Sequence, residues 1–196
     1  RAEVSPVNDL RAPEIRTAFV DEMVSVNPQV AGAPLEISRA GEVVSGAMIQ
    51  ATLIAAIVVS ITCLVVLRSV RETLAVLIPL VFAGFLVIGA MVLLNLQFNY
   101  ANVIVLPLII GLGVDSSIHL AVRKRELERG SVYATSTPRA VFFSGLTTAV
   151  AFVSLALSSH RGTASMGELL GLSIAIVLVT TILATPTLLD LLKRHR

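Results

Sequence analysis

The sequence predicts a mainly α fold, a polytopic membrane bundle of five transmembrane helices preceded by a small N-terminal β-α-β extracytoplasmic remnant. Three observations predict it. Of 196 residues, 55% are hydrophobic and only 14% are charged, whereas a soluble domain carries roughly 25% charged residues; mean hydropathy is +0.87. Formal charges are absent from Val43 to Leu67, Thr73 to Val114, Ala140 to His160 and Leu169 to Leu189. The segment before these runs alternates strand-like and helix-like patterns instead.

Each uncharged run is long enough to cross hydrocarbon, which takes about 20 residues of helix, and the second is about twice that length. The polar stretch NLQFNY (Asn95 to Tyr100) divides it. The five spans then lie near 47–67, 74–94, 101–122, 140–158 and 167–189, within a transmembrane domain 41–196. Loops rich in Lys and Arg stay in the cytoplasm. Arg68 and Arg71 follow the first span, Arg123, Lys124, Arg125, Arg129 and Arg139 lie between the third and fourth, and Lys193, Arg194 and Arg196 end the chain, while the opposite short loops hold Arg161 alone. Residues 1–40 are therefore expected outside and the C-terminus inside. The net charge of +2 reflects this asymmetry and gives no reason to invoke nucleic acid. Cys63 is the single cysteine and says nothing of redox compartment.

In the exported segment, RAEVSP alternates like an edge strand, and Ile15, Ala18, Phe19, Met23 and Val26 recur at helical spacing. Pro13 suits a first helical turn, and NPQ after Val26 stops the helix. LEIS (Leu35 to Ser38) reads as a second strand. A unit this small buries no core alone, so it is expected to close a larger extracytoplasmic domain, and the chain, which starts at Arg1 without a signal peptide, to be a fragment of a longer polypeptide. GEVVSGAMIQ continues without proline, so the first membrane helix extends above the bilayer.

Chemistry concentrates in GLGVDSSIHL (Gly111 to Leu120). Asp115 follows the start of its span by about 14 residues, roughly 21 Å of helical rise, past the midplane. A carboxylate there costs about 2.5 to 3.5 kcal/mol on insertion scales and normally faces protein or a water-filled cavity. Leu108, Gly111, Leu112, Asp115, His119 and Val122 share one helical face, and Gly111 and Gly113 leave room for a neighbouring helix or water. On the fourth span Ser144, Thr147, Thr148, Ala151, Ser154 and Ser158 form a stripe opposite Phe142, Val153 and Leu157. Such a stripe packs helices or conducts protons, and the expected neighbour is the Asp115 face.

Plainer readings stand beside several features. Gly167 and Gly171 in GELLG form a small-xxx-small packing pattern. Pro79, Pro107 and Pro186 bend their helices. His119, one turn nearer the cytoplasm, is either an interfacial residue or a relay member. Glu168 caps a helix N-terminus. Ser116 flanks the Asp115 face, Ser117 points nearly opposite, and both can bond backbone carbonyls. No metal cluster, phosphate loop or catalytic triad emerges, and no cofactor is implied.

GLGVDSSIHL resembles the intramembrane aspartate motif of the resistance-nodulation-division (RND) superfamily in its MMPL-like branch, and PRAVFFSGLTTAVAFVSLALSSH resembles the helix that follows it there. The five spans are similar to helices eight to twelve of such a transporter, with residues 1–40 at the end of its second periplasmic loop. SSHRGTASMGELLGLS is similar to the hopanoid-biosynthesis-associated RND transporters, a narrower match. The resemblance implies proton-motive-force-driven export of a lipid or other hydrophobic molecule at the bacterial inner membrane. It implies Asp115 as the protonatable residue; His119, Ser116, Ser144, Thr147 and Thr148, read from their positions, are the relay or supporting candidates beside it. The implied partners are the bilayer, protons, the hydrophobic substrate, the missing N-terminal half of the same transporter, and a second copy of the chain in a homo-oligomer. Removal from water disfavours the charged carboxylate, so protonation can alternate with helix packing.

Two readings from other classes are weighed against it. An intramembrane aspartyl protease needs two membrane carboxylates and an Asp directly after Gly-x-Gly; here Val114 intervenes, and Asp190 lies at a helix end. A sterol-sensing-like lipid-binding or scaffold module would share the helices and lack transport.

Overall fold

The computed structural model describes residues 4, 6, 10, 13–96, 103–127 and 130–194. Among these described residues six α-helices follow one another: α1 (Pro13–Val26), α2 (Ala33–Leu67), α3 (Val70–Leu93), α4 (Val105–Glu126), α5 (Thr137–Val153) and α6 (Arg161–Arg194). A 3₁₀ turn, Val132–Ala134, precedes α5, and another, Ser154–Leu157, continues it. Five helices, α2 to α6 with α5 counted through Leu157, are long and apolar enough to cross a membrane.

The expected β-α-β remnant is corrected: the described residues contain no strand. LEIS lies in the first turns of α2. Four alternating residues are too few to distinguish the periods of strand and helix, and Pro34 and Glu36 both suit a helix N-terminus. Leu35 is 8% exposed and Ile37 46%, whereas a strand would place both on one face. Of RAEVSP only Val4 and Pro6 are described, outside regular structure, and its other residues lie outside the described set. The helix at Pro13–Val26 is present, and it ends where Gln29 N–H donates to the Asn27 side chain at 2.9 Å.

The chain divides into two compact units, 1–47 and 48–196. The first holds α1 and the start of α2, with Val20 and Leu35 as its buried apolar side chains. The second holds the site. Its boundaries have local causes. Arg68 takes a positive φ of 49° where α2 ends, and Ser69 caps α3 by accepting the Glu72 N–H at 3.4 Å. At the other end of α3, Asn95 adopts φ 54°, with Asn95 N–H on Val92 C=O and Leu96 N–H on Met91 C=O. This pair of bonds satisfies orphan carbonyls, and Asn tolerates the left-handed conformation it requires. The polar NLQFNY interruption thus begins with a helix stop.

Helix α6 packs against α3, α4 and α5. The core joins Val76, Leu80 and Val87 of α3, Val105 and Ile109 of α4, and Leu170 and Val177 of α6, and α2 reaches it through Cys63 and Leu67. Outward faces stay apolar: Ile57 and Ile61 on α2, Phe82 and Phe85 on α3, and Val150 on α5 are exposed, as a bilayer requires. Pro79 is buried within α3 and Pro186 within α6. Pro107 does not bend its helix as expected, being the third residue of α4, where its missing N–H would have had no intrahelical partner. Glu168 is the eighth residue of α6, so it is no N-terminal cap; the helix begins at Arg161, before the apolar run.

Candidate functional site

Helix α4 has a packed side and an open side. Val105, Ile109, Gly113, Ser117, Leu120 and Lys124 are buried against its neighbours. Gly111, Asp115 and His119 are exposed. Of the face predicted from helical periodicity, Gly111, Asp115 and His119 are on the open side, while Leu108 and Val122 pack against the core. The Asp115 side chain is 75% exposed and that of His119 66%, with Nε2 and Oδ1 3.6 Å apart. An i,i+4 spacing places the two one above the other on a helix.

A cleft lies between α4 and α5. Asp115, Ser116 and His119 face Ser136, Thr137 and Ser144 across a space of about 270 Å³. A narrower recess of about 70 Å³ continues past Asp115 between Leu112, Thr148 and Val177. At about 30 Å³ per water the wider part has room for several molecules. Asp115, Ser116 and Ser144 thus line both spaces, His119 the wider one and Thr148 the narrower, which is otherwise mostly apolar. Thr147 lines neither part; its hydroxyl donates to the Ser144 carbonyl at 2.8 Å, and Thr148 donates to the same carbonyl at 2.9 Å. Ser154 donates to Ala151 C=O at 2.6 Å. These hydroxyls return their protons to the helix backbone, leaving oxygen lone pairs toward the cleft from Thr148.

The packed side of α5 is not the hydroxyl stripe. Val141, Gly145 and Ala149 share it, and a Cβ on Gly145 would lie 2.6 Å from Leu178 Cδ1 of α6. Gly113 is held between Leu80 and Val177, with a Cβ there 2.7 Å from Val177 Cγ1. A Cβ on Gly167 would lie 2.5 Å from the Ala156 backbone nitrogen, and one on Gly171 would meet Val153. Gly111 meets nothing within 4 Å.

On the far side of α4, Ser117 bonds a backbone carbonyl as expected, whereas the role of Lys124 was missed by sequence reasoning. Ser117 Oγ donates to Gly113 C=O at 3.0 Å and lies 3.5 Å from Thr181 Oγ1 of α6. Lys124 forms an ion pair with Asp190 of α6 and donates to Gly130 C=O at 3.2 Å. Its signal was periodicity: Gly113, Ser117, Leu120 and Lys124 form one stripe, and only the last is ionic. Among the described residues no three His, Cys, Asp or Glu side chains cluster as a metal site requires. The cleft offers one carboxylate, one imidazole and hydroxyls, groups suited to binding and passing protons.

Comparison with known proteins adds the family. The sequence profile described as MMPL family matches residues 8–196. The hopanoid transporter HpnN of Rhodopseudomonas palustris is 38% identical over 189 residues, 96% of this chain and 22% of that protein. The hopanoid transporter HpnN of Burkholderia multivorans is 33% identical over 171 residues, 87% of this chain and 19% of its own length. The chain spans about a fifth of the length of these relatives.

Proposed function

From the premise that this chain belongs to the MMPL family, we propose that it forms part of a proton-driven transporter moving lipid or another hydrophobic molecule out of the bacterial inner membrane, with hopanoids as the favoured class. The observation that carries the reading is Asp115 on the α4–α5 cleft, beside His119 at 3.6 Å and facing hydroxyls of α5. The two relatives named as hopanoid transporters support the substrate class.

Asp115 binds a proton and releases it. His119, Ser116, Ser144 and Thr148 line the water that brings or removes it, while Thr147 stays outside the cleft. In the full-length transporter further helices cover the open Asp115 face, so the carboxylate is charged in one arrangement and neutral in the other. One proton crossing about 100 mV supplies roughly 2.3 kcal/mol, enough to bias two packings of similar energy. Residues 1–40 are placed on the periplasmic side and the C-terminus in the cytoplasm, because Lys and Arg gather at one end of the bundle.

The test is Asp115→Asn in the full-length protein, which keeps shape and hydrogen bonding and cannot titrate. In vesicles with an imposed proton gradient, transport of a fluorescent lipid analogue is expected to be lost while the melting temperature holds. Normal transport by this variant would sink the relay. A lipid-binding module without transport would bind lipid equally in both forms and show no proton-driven movement. The protease reading needs a second free carboxylate opposite Asp115, and Asp190 is engaged by Lys124.

A further inference from the structure

A proline inside a helix leaves the carbonyl four residues earlier without its backbone donor. In α6 the proline is Pro186, and the deprived carbonyl belongs to Ile182. The phenol of Tyr133 donates to that carbonyl at 2.9 Å and lies 3.3 Å from the carbonyl of Leu183. Leu183 C=O already accepts the Thr187 hydroxyl at 2.7 Å, so the distinctive contribution of the phenol is the bond to Ile182.

Tyr133 is delivered from a fixed base. It sits in the 3₁₀ turn Val132–Ala134 of the α4–α5 connector, where its N–H donates to Ser131 Oγ at 3.3 Å and Thr135 Oγ1 donates to Val132 C=O at 2.7 Å. Val132 is 1% exposed and packs with Leu120, Val141 and Leu178, a cluster that Ile182 also joins. Lys124 holds the start of the connector through Gly130 C=O. The broken rung divides two α4–α6 contacts: Thr181, before it, faces Ser117, and Asp190, beyond it, pairs with Lys124.

We propose that Tyr133 latches a proline hinge in α6, supplying the donor that Pro186 removes and thereby keeping both α6 segments in step with α4, the helix that carries Asp115. A bend at 182–186 would separate the two contacts, so Tyr133 is a positioning residue for the cleft. Its effect on transport rests on the reading of Asp115 above; the latch itself does not.

Four full-length proteins test it: the parent, Tyr133→Phe, Pro186→Ala and the double variant. Tyr133→Phe removes one oxygen, and Pro186→Ala returns an N–H to the Ile182 carbonyl. Tyr133→Phe is expected to lower the melting temperature of the parent, by the loss of one hydrogen bond, and to leave it unchanged in the Pro186→Ala background. An equal shift in both backgrounds, or none in either, overturns the latch. Should Pro186→Ala fail to fold, hydrogen exchange decides: Tyr133→Phe is expected to speed exchange in 183–192 and 130–136 alone, and unchanged exchange there overturns the proposal. Transport should fall at least threefold in Tyr133→Phe and return in the double variant; unchanged transport overturns the coupling to α4. Normal transport by Asp115→Asn together with the expected melting pattern would remove the relay and leave the latch standing.

Discussion

At Lys124 the polypeptide keeps an ammonium out of water. Its side chain is 8% exposed, while its partner Asp190 is 57% exposed. The two ends of this ion pair therefore respond differently to mutation. Lys124→Met keeps the aliphatic stem in place and leaves a carboxylate that water can solvate, so it should cost no more than about 1 kcal/mol. Asp190→Asn takes a carboxylate away from a buried ammonium that also donates to Gly130 C=O, and should cost about 1–3 kcal/mol. Melting curves of both variants check the order, and a larger loss for Lys124→Met would show that the stem, not the charge, is what the site holds. Sequence reading placed Lys124 in the basic loop between the third and fourth spans, because five basic residues crowd Arg123 to Arg139. Composition cannot distinguish the member on the packed stripe from its neighbours, since charge count has no direction.

Helices in a bilayer gain little from burying apolar surface against each other, because lipid is equally apolar; close packing of small residues takes that role. The glycines show which contacts count. Gly167→Ala would drive a methyl into the backbone of Leu155 and Ala156, which cannot swing aside as a side-chain tip can, and should cost about 1–3 kcal/mol. Gly111→Ala enters open space and should stabilise this chain in detergent by up to about 1 kcal/mol, the usual difference between the two residues in a helix. Equal melting temperatures for the two would contradict this packing. On α5, Thr148→Leu fills the recess beside Asp115, whereas Phe142→Leu changes a 44% exposed ring whose neighbour is Phe143 at 5.7 Å. An apolar side chain there displaces water from beside Asp115, so transport is expected to fall for Thr148→Leu, against little change for Phe142→Leu. If both transport alike, the cleft does not lie on the proton path.

In the unit formed by residues 48–196, the C-terminal ends of α2, α4 and α6 meet at one end. Arg125 donates to Leu67 C=O at 3.0 Å, and Lys124 reaches Asp190. Alternating helices with short connections give this arrangement. A reporter fused after Arg196 should then be cytoplasmic, and one inserted between Ser158 and Thr163 should lie on the opposite side. Protease protection of both reporters on the same side would remove the five-span topology.

The sequence by itself determined the class, the number of apolar helices, the Asp115 face and the family resemblance, because these follow from local quantities: run length, helical period and a short motif. It also located the stop at NLQFNY, since a polar break in an apolar run is a local signal. It misread LEIS, where four residues cannot separate two periods and Pro34 and Glu36 tip the balance to helix. Only tertiary structure decided that Gly145, not the hydroxyl stripe, seats α5 on α6, and that of Gly111 and Gly113 only the second is packed. It alone showed that Lys124 is buried beside Asp190 and that Tyr133 answers Pro186 from about 50 residues away along the chain. Those contacts join residues distant in sequence. Their partners are chosen by how helices cross, which no local pattern encodes.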